Sequence, residues 1–146
     1  MSSYLPLVAR VILGLSFTVF GLNFFFPFLP PPAMPEPAER FLGALVEAGW
    51  LLPFVKTVEV GAGLLLLANR FVPLMLTLLA PIVVNIVGFH MFLAPDTIAL
   101  TLVLLALTLY LAWTHRASYA PMLRAQACGD AEATSGTDLS SPAASR

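Results

Sequence analysis

VKTVEVGAGLLLLANR, residues 55–70, decides the fold. It is apolar enough to cross a bilayer, yet it carries Lys56 and Glu59 three residues apart and closes on Arg70. Ionisable groups inside hydrocarbon are costly, so they pair with something and often mark a function. On a helix Lys56 and Glu59 lie 60° apart and can pair, with Gly63 one turn beyond Glu59.

The rest of the chain agrees with a membrane setting. Of its 146 residues 59% are hydrophobic and only 10% charged, with a mean hydropathy of +0.90. Soluble domains carry about 25% charged residues. The net charge is −1 and no dense basic cluster occurs, which argues against nucleic-acid binding. Cys128 is the only cysteine, so neither an internal disulfide nor a Cys-x-x-Cys pair can form. Electron chemistry would need a bound cofactor, a quinone or a partner protein.

Four spans are expected: Leu5–Phe26, Leu51–Asn69, Phe71–Leu93 and Asp96–Trp113. Arg10, Gly14, Phe17 and Gly21 recur at spacings of 4, 3 and 4, one face of the first helix, where glycines admit a close neighbour. The first span exceeds a signal peptide's h-region and lacks an A-x-A site, so it reads as a retained helix. Residues 27–37, PFLPPPAMPEP, predict an extended, proline-stiffened connector. Glu39–Ala48 then predicts a short interfacial amphipathic helix ended by Gly49. Pro81 should free the Thr77 carbonyl and kink the third span. Asp96 is a natural N-cap for the fourth.

The fold class is therefore all-α: a polytopic four-transmembrane-helix bundle over residues 1–116, with the amphipathic helix after the first span and a disordered cytoplasmic tail over 117–146. Arg10, Arg70, Arg116 and Arg124 fall on one side, while most acids fall on the other with Arg40 and Lys56. The positive-inside rule puts both termini in the cytoplasm, with Tyr4, Tyr110 and Trp113 as an aromatic belt there.

Depth counting places Lys56, Glu59, Asn85 and His90 together in the outer half of the bundle. Asn85 and His90 are 140° apart on their helix, so one of them, not both, should face Glu59. Two readings stay open. One is a polar pocket in which Glu59, tuned by Lys56, binds a ligand or accepts a proton; the other is an internal ion pair that fixes helix register. A metal site is not expected, because His90 has no second histidine or cysteine near it.

ARVILGLSFTVFGLN (9–23), VEVGAGLLLLANR (58–70) and PIVVNIVGFH (81–90) resemble the DoxX family of small bacterial membrane proteins, over roughly residues 5–115. The resemblance implies four transmembrane helices, a bacterial inner membrane and similarity to DoxD, the membrane subunit of a thiosulfate:quinone oxidoreductase. Arg10, Glu59, Asn85 and His90 match polar positions of the family pattern. Phe24 stands where several members have lysine, which weakens the case for a charged site at the outer end of the first helix. The function expected on this ground is a quinone-linked redox membrane subunit acting with a redox partner protein, Glu59 or His90 exchanging the quinone's protons. The alternatives are a non-catalytic scaffold or assembly protein and, with less behind it, a small-solute carrier.

Overall fold

The computed structural model describes residues 4–30 and 33–120, and these are helical with turns and loops between. In chain order they form α1 (Tyr4–Phe25), α2 (Glu36–Glu47), α3 (Leu51–Leu67), α4 (Val72–Phe92), a 3-10 turn at Pro95–Thr97, α5 (Ile98–Thr114) and the single turn α6 (Arg116–Tyr119).

Three helical stretches are long and apolar enough to cross a membrane: Tyr4–Phe25, Val72–Phe92 and Pro95–Thr114. The pair α2–α3, bent by 94°, would make a fourth. Taken alone, α3 has 17 residues, roughly 25 Å, the short end of the spanning range. It stops two residues before the expected Asn69 because the chain turns there. Asn69 takes φ 56°, its N–H bonds to the Leu66 carbonyl, and the Arg70 N–H bonds back to Leu65. That is a Schellman closure with asparagine in the left-handed position.

Other boundaries moved for local reasons. The amphipathic helix begins at Glu36, not Glu39: proline is tolerated in a first helical turn, so Pro37 sits inside the helix instead of the extended connector. Glu36 and Glu39 occupy that first turn, where the macrodipole favours acids. Gly49, at φ 76°, ends the helix as expected. Asp96 does not cap the fourth span. Pro95 opens a 3-10 turn that takes in Asp96, and Thr97 becomes the residue before α5. The helix α4 is continuous through Pro81. Residues 117–119 belong to α6 and not to a disordered tail; the tail from 121 onward lies outside the described residues.

The helices form a closed circuit, α1 on α3, α3 on α4, α4 on α5 and α5 on α1, with α1–α3 the most extensive pairing. Leu13, Leu66, Leu76, Leu79, Val83 and Leu111 are fully buried at its centre. The outside is also apolar: Ile12, Leu15, Leu78, Val84, Val103 and Leu109 are all exposed. Helices apolar on every face suit an apolar surrounding.

Glycine sets the α1–α3 contact. A Cβ on Gly63 would lie 2.5 Å from the Thr18 hydroxyl and 2.8 Å from the Gly14 carbonyl, and one on Gly21 would lie 2.6 Å from Val60. Gly14 meets Gly63 and Leu67 while Gly21 meets Lys56 and Val60, so the two helices run antiparallel. Thr18 donates to the Gly14 carbonyl at 2.7 Å, hiding its hydroxyl inside this interface.

Candidate functional site

Glu59 sits at the midpoint of α3, eight residues from Leu51 and eight from Leu67, roughly 12 Å from each end. It is 2% exposed, and both of its oxygens accept hydrogen bonds from the Lys56 ammonium, at 3.1 and 2.8 Å. The i,i+3 spacing brings the pair together on one helix face, and Gly21 of α1 packs against the Lys56 carbonyl. Lys56 itself is part-exposed and forms the open edge of the pair.

Neither expected neighbour from α4 reaches the carboxylate by hydrogen bond; among the described residues Lys56 is its only partner. His90 Nδ1 instead pairs with the Thr97 hydroxyl at 2.8 Å, which itself donates to the Ala94 carbonyl at 3.2 Å. His90 therefore ties the end of α4 to the 3-10 turn. Asn85 is exposed and lines a groove of about 320 Å³ with Phe41, Gly88, Phe89, Phe92 and Leu93. The Phe41 and Phe89 rings, 5.9 Å apart, join α2 to α4 across that groove.

Arg10 lies at the opposite end of the molecule, where its Nη1 donates to the Asn69 side-chain oxygen. Its Nε is buried without a partner. The five named residues thus divide into four places: the Lys56–Glu59 pair, the Asn85 groove, the His90 turn and the Arg10–Asn69 link.

Four partners escaped the sequence reading: Thr18, Asn69, Thr97 and Tyr119, whose hydroxyl donates to the Pro73 carbonyl at 3.0 Å. Asn69 could have been found. Once Gly14 is paired with Leu67 in antiparallel helices, Arg10, one turn before Gly14, falls level with the turn after Leu67. Among the described residues no three of His, Cys, Asp and Glu come together as a metal site. No family model, curated protein or solved structure matches this chain.

Proposed function

We propose that this is a multi-pass protein of the bacterial inner membrane, four spans deep with both termini cytoplasmic, acting as a non-catalytic scaffold subunit for a partner protein. The bilayer is its first partner: an exterior lined with exposed large apolar side chains has no counterpart in water-facing proteins of this size. Orientation follows from charge, since Arg10, Arg70 and Arg116 share one end and Glu36, Glu39, Glu47 and Asp96 share the other.

The observation that carries the scaffold reading is the state of Glu59. Its two oxygens both accept from Lys56, and Gly21 of α1 packs against the Lys56 carbonyl three residues before it. An ion pair so placed fixes helix register and rotation.

The Asn85 groove favours a second reading, the quinone-linked redox subunit. An aromatic slot with a single amide fits a flat ring bearing a carbonyl, so Asn85 would hold a quinone headgroup between Phe41, Phe89 and Phe92. A quinone would supply two-electron, two-proton chemistry there. The chain's proton-exchanging groups stand elsewhere: Glu59 is engaged by Lys56, and Nδ1 of His90 by Thr97. Purification in mild detergent, solvent extraction of quinone and identification of co-purifying proteins separate the readings. A stoichiometric quinone, lost in Asn85→Leu, would overturn the scaffold; a partner without quinone supports it.

A further inference from the structure

We infer that the cytoplasmic end of the helices, from Arg10 and Arg70 across to Arg116, is a binding surface for acidic phospholipid headgroups; this rests on the membrane reading above. The three arginines are brought to one end by the antiparallel packing. Arg10 bonds to Asn69, the residue before Arg70. Arg116 opens α6, which Tyr119 fastens to Pro73 just inside α4.

Among the described residues none of the three has a carboxylate partner. Among the described residues the only ion pairs are Arg40–Glu36 and Lys56–Glu59, and neither involves these arginines. Arg10 meets a neutral amide oxygen and keeps a buried Nε unbonded. Arg116 lies 5.3 Å from the Trp113 ring centre and donates to the Trp113 carbonyl at 3.2 Å, neither of which neutralises it. A planar guanidinium matches phosphate oxygens in geometry as well as charge.

The ligand is a lipid and not a free anion because apolar surface adjoins the charge. Tyr4, Phe71 and Trp113 are 74%, 63% and 70% exposed at this same end. Acyl chains would cover these rings while the headgroup phosphate reaches the arginines. A free phosphate would leave the rings bare.

The test uses full-length, delipidated protein in neutral detergent, titrated with phosphatidylglycerol or phosphatidylcholine and followed by native mass spectrometry. Wild type should bind phosphatidylglycerol several-fold tighter, and Arg70→Gln and Arg116→Gln should each lower that preference about fivefold. Arg40→Gln, at the far end, should leave it unchanged. Arg10→Gln also removes the Asn69 bond, so the two exposed arginines carry the decision. Equal affinity for the two lipids, or an equal loss in Arg40→Gln, overturns the assignment. Displacement of phosphatidylglycerol by equimolar inorganic phosphate would assign the site to a free anion and overturn the lipid. Alkaline carbonate extraction of cell membranes distinguishes the two levels of failure. Protein released to the supernatant ends both proposals, whereas protein retained in the pellet without lipid preference ends this one alone.

Discussion

The Lys56 ammonium donates to both carboxylate oxygens of Glu59, yet the two side chains are unequally buried, 23% exposed for lysine and 3% for glutamate. The lysine can reach water or headgroups along its flexible stem; the carboxylate cannot. Loss of either partner is therefore not equivalent to loss of the other.

Removing the lysine should do the greater harm. Lys56→Met strands a buried carboxylate and should cost about 3–5 kcal/mol. Glu59→Gln leaves an ammonium that can rehydrate and should cost less, about 2 kcal/mol. The double substitution Lys56→Met with Glu59→Leu should return close to wild type, since apolar replacement of a buried pair is often neutral. Unfolding in detergent gives all three values, and a double variant as unstable as the sum of the singles would mean that the pair is not coupled.

Tyr119 predicts an alkaline limit. Burial raises its phenol above the ordinary value of 10.0, opposed in part by a hydrogen bond with Thr77. The folded state thus holds the phenolic proton more tightly than the unfolded chain does. The stability this contributes is whole below pH 10 and is lost as pH rises through the folded value. Tyr119→Phe should cost about 1 kcal/mol at neutral pH by losing the bond to Pro73, and should flatten this part of the alkaline decline. Stability measured on either side of pH 10 in both proteins checks it.

How the polar residues distribute shows which information the chain carries locally. The Lys56–Glu59 pair and the Arg10–Gly21 face were legible because each lies within one helix, where spacing fixes angle. The surroundings of Asn85 and His90 were not. They depend on how α4 is rotated about its axis, and a helix apolar on nearly every face has no polar stripe to set that rotation. The 3-10 turn that captures His90 was hidden too: Pro95-Asp96-Thr97 reads equally well as a helix N-terminus, and only the folded chain shows Thr97 beneath the imidazole.

Asn69 has two roles that substitution can separate. It holds φ 56° in the turn between α3 and α4, and its side chain receives Arg10. Asn69→Gly keeps the left-handed conformation and loses only the side-chain bond, so it should cost about 1 kcal/mol. Asn69→Ala adds the left-handed penalty of about 1 kcal/mol and should be the less stable of the two. The neighbouring Phe71, at φ 54° and largely exposed, has no side-chain bond to offset its conformation. Phe71→Gly should therefore stabilise the detergent-solubilised protein, read as a rise in Tm.

Two glycines of α3, two residues apart, make opposite predictions. A Cβ on Gly63 meets Thr18 Oγ1 at 2.5 Å, but also the Gly14 carbonyl at 2.8 Å and the Thr18 amide nitrogen at 2.9 Å. The hydroxyl could rotate away; the backbone atoms could yield only by pushing α1 from α3. Gly63→Ala should cost about 2–3 kcal/mol by overpacking. Because Lys56 and Val60 lie on the same contact, the substitution should also loosen the α3 face that holds the ion pair. Gly61 has no atom within 4 Å of its Cβ position, so alanine there only removes glycine's helical penalty. Gly61→Ala should stabilise the detergent-solubilised protein by about 0.5–1 kcal/mol. Thermal unfolding of the two variants side by side decides the matter. A Gly63→Ala variant as stable as wild type would mean that α1 and α3 do not approach this closely.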